Sequence, residues 1–437
     1  METTETAAIL LLPDDLLAGI LGRLPARSLA ASRCVCSSWR GLVDAHRLLL
    51  PHLLPHSVRG LFVTYLDHDT PHFFAHPAMP TNEGSRIDGS FRFVAGEGAF
   101  GYHRVKDQCN GLVLFSYGAA SMCLSNPATR WWACLPERSD GVWGRRPFVV
   151  FDPAMSPRWE NLLGKISQED GGAWQMTMEW PPPAWTWHVF SSTTMRWEER
   201  VFVREGKAAG TVGSLLDVEE HFRAGECRYG AYCQGALYMH CVGEYVSRLS
   251  LSTNTYQVIK SPINVAECPK YTRPFIGRSQ HGVYFAALGA KAQLRIWMLK
   301  ESGDGLETEW LLRHDRAVHP DQEQMQGDRP WILDDYYDTA EADHQTEESL
   351  QQQNKGWDSD NDNIVSGVED DDDRRDNHLT FLGFHPYKEV IFLEVVSSTV
   401  AYHWNRAKVQ YLGRVLPLTY HRDLYGSFVY TPCRIRV

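Results

Sequence analysis

Apolar residues in the first fifty positions recur at helical spacing, and beyond about residue 55 that spacing gives way to short runs of strand character. Leu16, Leu17, Ile20, Leu21 and Leu24 fall at i, i+1, i+4, i+5 and i+8, which is one stripe of a helix. Asp14 and Asp15 open it, where the helix dipole favours negative charge, and Pro25 stops it. A second helix is predicted from about Ala26 to Val35. A third starts at Ser37 or Ser38, either of which can cap it, and carries Trp39, Leu42 and Val43 on one face. Three helices of this size bury little alone.

The rest of the chain repeats. "CNGLVLFSY" at 109, "CQGALYMHC" at 233, "QHGVYFAAL" at 280 and "PYKEVIFLEV" at 386 each read as a turn feeding an apolar strand. After each comes a strand, a polar turn and a strand bearing Trp or Tyr, and "WHVFSSTTMRWEERVFV" at 187 gives a further copy. The aromatic marks at Trp132, Trp197, Tyr256, Trp310 and Tyr411 are about 65, 59, 54 and 101 residues apart. Removing an acidic stretch of about 43 residues brings the last interval to about 58, which suits four-stranded propeller blades of kelch-like length. Five blades are visible this way. The runs "GLFVTYL" and "GSFRFV" near one end and "LYGSFVYTPCRI" at the other are expected to form a sixth that closes the ring, which removes exposed strand edges. A β-sandwich is the alternative architecture.

Two resemblances follow from these residues. The order Leu12-Pro13, Ile20-Leu21, Leu24-Pro25, Leu29, Cys34-Val35-Cys36 and Trp39 resembles the F-box, the helical module of ubiquitin-ligase substrate receptors. It covers about 40 residues, and "AAS" after Leu29 departs from the bulkier or basic residues usual there. "CNGLVLF…CLSNPATRWWACLP" is similar to the opening of the F-box-associated region found behind many plant F-boxes. The first resemblance implies docking onto a Skp1-like adaptor and, through it, a cullin. Carried over residue by residue, Leu12, Pro13, Ile20, Leu21, Leu24, Pro25, Leu29, Val35 and Trp39 would form the adaptor contact. The expected organisation is multidomain: a small all-α F-box over residues 8–52, then an all-β propeller-like domain of about six blades over 58–437, interrupted by an acidic, disordered insert at 334–376.

Composition agrees with a folded β-rich chain, since 43% of its residues are hydrophobic and its tryptophans number 15. The net charge of −11 is local. Sixteen acidic residues against three basic ones lie between Asp334 and Asp376, so the remainder is close to neutral and no nucleic-acid partner is expected. No signal peptide or membrane helix is expected, and the ten cysteines read as free thiols in the cytoplasm or nucleus. Cys34 and Cys36, too few for a structural zinc, read as packing around Val35 and Trp39.

Candidate chemistry is sparse. "DSDNDNIVSGVE" at 358 has the carboxylate spacing of a calcium loop, but Asn363 stands where the sharp turn wants Gly and no helix pattern follows, so a solvated loop is expected. His68, His72 and His76 are four apart, yet Pro71 and Pro77 break any helix there. "WPPPAWTW", Trp180 to Trp187, either lines a ligand face or covers a blade edge. No nucleophile or phosphate-loop motif occurs. The sequence therefore points to a non-catalytic substrate receptor with no cofactor and an unidentified target protein. The rivals are a propeller enzyme and an adaptor-binding protein outside any ligase.

Overall fold

The computed structural model describes residues 12–54, 56–66, 68, 70–77, 87–95, 103–118, 121–137, 146–164, 177–214, 230–241, 245–263, 273–302, 308–318, 331–334, 357, 364–366, 379–395, 398–415 and 424–435. Helix α1 spans Asp14–Leu21, α2 Ala26–Ser32 and α3 Ser37–Ala45, followed by the single turn α4, Leu50–Leu53. Prolines 13 and 25 precede α1 and α2, where their missing N–H costs nothing. Helix α3 is capped by neither Ser37 nor Ser38. Cys36 stands at the cap, and its Sγ accepts from the Trp39 backbone N–H at 3.5 Å.

After α4 the named elements among the described residues are strands, apart from the short helix Arg92–Ala95. Blade one runs outward from His103–Cys109 through Leu112–Tyr117 and Ser121–Asn126 to Trp131–Cys134. Blade two has Arg146–Phe151 innermost and Arg196–Glu205 outermost; blade three, Gly230–Cys233 and Thr255–Lys260; blade four, Arg273–Ser279 and Thr308–Ala317. In blade five the limits are Leu379–Phe384 and Lys408–Gly413, with Ile364–Ser366 added outside. Each inner strand lies against the next in cyclic order, so the ring has six blades and a central axis.

Blade six is built from both ends of the chain. Its inner strand Leu424–Tyr430 pairs with Gly60–Tyr65, then His72–Ala75 and Ile332–Leu333. The closure anticipated from "GLFVTYL" and "LYGSFVY" is present, but "GSFRFV" forms the Arg92–Ala95 helix and not a strand. The sandwich alternative is excluded by this ring. Blade length is what the kelch comparison rested on, and nothing further in the fold argues for it.

Backbone conformation carries the repeat. The first hairpins of blades one and three place Asn110 (φ 46°), Gly111 (φ 92°), Gln234 (φ 49°) and Gly235 (φ 81°) in the left-handed region, as a two-residue hairpin turn requires. Arg130, Met195, Asn254 and Ala407, each just before a fourth strand, share a φ of 50–55°. Near the axis the inner strands crowd together, and a Cβ on Gly277 would stand 2.5 Å from the Phe384 ring. The outer strands of blades two and three meet in parallel, Val203–Glu205 against Thr255–Gln257, joining eight strands into one sheet.

Three expectations change here. Cys123 and Cys134 face each other across the last two strands of blade one and form a disulfide, whereas Cys34, Cys36, Cys109, Cys233, Cys241 and Cys433 are free thiols. The acidic stretch contributes to the fold: Asp334 accepts from the Phe73 and Gly89 backbone N–H groups, Trp357 packs on Trp331 and Phe392, and Ile364–Ser366 pairs with blade five. Residues 335–356, 358–363 and 367–378 lie outside the described residues, and with them all the carboxylates of the calcium-like loop. His72 belongs to a strand, its ring 3.4 Å from His68, and no cluster able to hold a metal occurs among the described residues.

Candidate partner-docking site

The helical head has its own small core of Leu17, Ala18, Leu21, Leu29, Leu42 and Val43. Leu12, Leu24 and Trp39 pack at its margin and stay half-buried. Two of the nine anticipated contact residues are therefore inside: Leu21 is 2% and Leu29 0% exposed. Their side chains belong to the core that holds the helices together.

What the head leaves in solvent is apolar. Ile20 is 52% and Val35 67% exposed, Pro13 and Pro25 are exposed, and Leu16, absent from the anticipated set, is 58% exposed. Leu16 and Ile20 lie one turn apart and share a face of α1. The sequence stripe gave equal weight to Leu16, Leu17, Ile20 and Leu21, because amphipathic spacing cannot say which half of a wide stripe faces inward. Leaving such side chains in water forgoes roughly 1.5–3 kcal/mol each, which a partner can recover.

Geometry between the helices is fixed from outside the core. Arg33 reaches Asp44 with two bonds, Nε to Oδ1 at 2.7 Å and Nη2 to Oδ2 at 2.9 Å, tying the end of α2 to α3. The guanidinium holds the Asp44 carboxyl below its usual range. Cys34 is exposed and Cys36 caps α3, so neither acts as the apolar filler the sequence suggested.

The head is seated on the propeller by its last turn. Leu54 packs among blade-one residues and Cys433, Arg434 N–H donates to Leu53 C=O at 2.8 Å, and Arg47 Nη1 donates to Ala154 C=O at 3.2 Å. His56 stacks on Tyr387, ring centroids 4.1 Å apart. Ala154 and Tyr387 both belong to turns that follow inner strands, so the head sits on the face of the ring that carries those turns.

Polar residues around the first hairpin of blade one and the aromatic Pro-Trp run are structural. Asp107 Oδ2 accepts from Val149 N–H at 2.7 Å and Asn110 Nδ2 donates to Phe151 C=O at 2.6 Å, so blade one stitches down the free edge of blade two. Asn126 Nδ2 donates to Cys433 C=O at 2.9 Å, fastening the C-terminal segment. Trp180, Trp185 and Trp187 are buried together in the core of blades two and three, so the Pro-Trp run is packing.

Residues 9–50 match the model of the F-box domain, and the chain carries an F-box at its N-terminus. Two F-box proteins of Arabidopsis thaliana are similar to it, one 26% identical over 150 residues (33% of this chain, 39% of the relative), the other 23% identical over 168 residues (36% and 52%). The chain thus spans about two fifths to one half of the length of these relatives. Among solved structures, YCF48 with a bound D1 peptide aligns at a TM-score of 0.31 and 7% identity over 81% of this chain and 82% of its own. A chain of the mitotic checkpoint complex aligns at 0.31 and 11% over 70% and 75%.

Proposed function

We propose that this chain is the substrate-receiving subunit of a ubiquitin ligase of the Skp1–cullin–F-box type. The observation that supports it best is an F-box whose Leu16, Ile20 and Val35 are left exposed while its last turn is pinned to a six-bladed ring. A Skp1-like adaptor docks on those side chains with Pro13, Pro25 and the rims of Leu12, Leu24 and Trp39. Leu21 and Leu29 act beneath, by holding the helices in place. The propeller takes the target protein. The receptor supplies no catalytic group: it raises the effective concentration of target lysines near the conjugating enzyme, in the cytoplasm or nucleus.

Rigid mounting matters to this mechanism. A flexible tether spreads the target over a large volume, whereas contacts through Leu54, His56 and Arg434 hold head and ring in one orientation.

The test is co-precipitation of a Skp1-like adaptor with the full chain and with L16D/I20D. Both positions are exposed, so the variant keeps its fold and should lose at least tenfold in adaptor affinity, because two carboxylates would have to be desolvated at the interface. Equal recovery with the variant, or none with the wild type, refutes the reading. Recovery of a cullin alongside the adaptor separates a ligase subunit from a protein that holds the adaptor elsewhere.

A further inference from the structure

Arg278 lies near the end of the inner strand of blade four, and Asn110 in the turn after the inner strand of blade one, half a ring away. Arg278 Nη1 donates to Asn110 Oδ1 at 3.2 Å, so one side chain reaches across the mouth of the axial channel. Its guanidinium also stands over the ring of Tyr387 from blade five, 5.5 Å from the centroid. Behind it lies a cavity of about 90 Å³, with Asp107, Ala231, Ile276, Phe384 and Val429 in its wall.

The guanidinium at this mouth is in no ion pair among the described residues, and its partner Asn110 is neutral. The carboxyl in the cavity wall, Asp107, already accepts from Val149 N–H, and burial pushes it up to about 7. Asp152, in the first turn of blade two, accepts from Ala154 N–H within that turn. His56 stacks beside the site on Tyr387, and burial first, then Arg278, lower its pKa. A guanidinium presents five N–H donors in a planar fork, most of which remain available here.

Size selects the ligand. A cavity of about 90 Å³ is far below the roughly 300–1,000 Å³ of a site for a cofactor or drug-sized molecule. It admits the tip of one side chain.

We propose that this mouth is an oxyanion-recognition site in which Arg278 binds the carboxylate or phosphate at the tip of a single side chain from an extended segment of the target protein. Taking the ligand to be a target segment rests on the receptor reading; the anion site does not. A segment held here lies on the face that also seats the head, which keeps it near the adaptor-docking module.

The experiment uses the full chain and three blocked tripeptides, Gly-Glu-Gly, Gly-phosphoserine-Gly and Gly-Gln-Gly, titrated up to about 10 mM with peptide NMR line broadening as readout, the range where one charge-assisted contact is visible. The wild type should broaden the two acidic peptides and not the glutamine one. R278Q should weaken that binding at least tenfold, and R278K should keep part of it, since the charge remains but the fork is lost. The stronger of the acidic peptides identifies the source of the oxyanion. Thermal melts check that the variants fold; should R278Q not fold, R278K and displacement of the peptide by inorganic phosphate carry the test. Equal broadening by the glutamine peptide, unchanged binding in folded R278Q, or no broadening by either acidic peptide overturns the proposal. Adaptor capture by R278Q should match the wild type. Loss of adaptor binding in the wild type removes the receptor reading and leaves the anion site to be judged on the peptides alone.

Discussion

His314, on the outer strand of blade four, is buried with its Nε2 3.3 Å from the Tyr402 hydroxyl of blade five. Burial, and secondly Arg316, push its pKa from 6.5 down to about 4. Between those values the unfolded chain takes up a proton that the native one refuses. The stability His314 contributes is therefore complete above about pH 6.5 and is lost as pH falls toward 4. Asp107 has the opposite sign in nearly the same window: its carboxyl, 3.8 when free, is pushed up to about 7, so its burial costs more as pH rises. The two contributions overlap and mask each other in the wild type. In H314F the His314 part disappears, and urea unfolding at pH 7.5 and 4.5 should show the variant losing less stability on acidification than the wild type, by on the order of 1 kcal/mol. An identical pH dependence would mean that His314 is hydrated in the native state.

Elements were legible to different depths. The five aromatic marks all fall on the fourth strands of their blades, counted outward from the axis, and the Gly-bearing turns at 109, 233 and 280 all join first to second strands, because a repeat of turn chemistry imposes a repeat of hairpins. Gly111 shows how strict this chemistry is. It sits at φ 92°, and a Cβ there would lie 2.5 Å from Cys433 Cβ and 2.6 Å from its backbone N. G111A should cost about 2–4 kcal/mol in denaturant unfolding, from left-handed strain and displacement of the C-terminal segment together; a loss under about 0.5 kcal/mol would show that the segment yields freely. The head was legible as three helices. Its contact face was not, since Leu16 and Leu17 differ in sequence only by their place on a helix, and the inward choice belongs to α3.

At the scale of the whole molecule, the ring is closed by residues nearly 370 positions apart, as Leu61 pairs with Val429. The described residues of the acidic stretch meet the ring for a related reason. The charge count of that stretch reads as a solvated loop, and a single Trp inside it, Trp357, is nonetheless drawn into the core beside Trp331, Phe392 and His385. W357A should lower stability by about 2–4 kcal/mol, seen as a lower thermal midpoint with an unchanged far-ultraviolet spectrum. An unchanged midpoint would return Trp357 to the loop. No helix among the described residues is long and apolar enough to cross a membrane.

The sequence by itself determined a helical F-box and a repeat of four-stranded blades, because these rest on periodicity and turn chemistry that neighbouring residues carry between them, whereas the count of six waited on ring closure. Tertiary structure alone decided which apolar residues of the head remain outside, which cysteines meet, what Trp357 touches, and that Arg278 and Asn110 confront each other across the axis. Each of those depends on residues brought together from distant parts of the chain by ring closure, and no local pattern encodes a meeting of that kind.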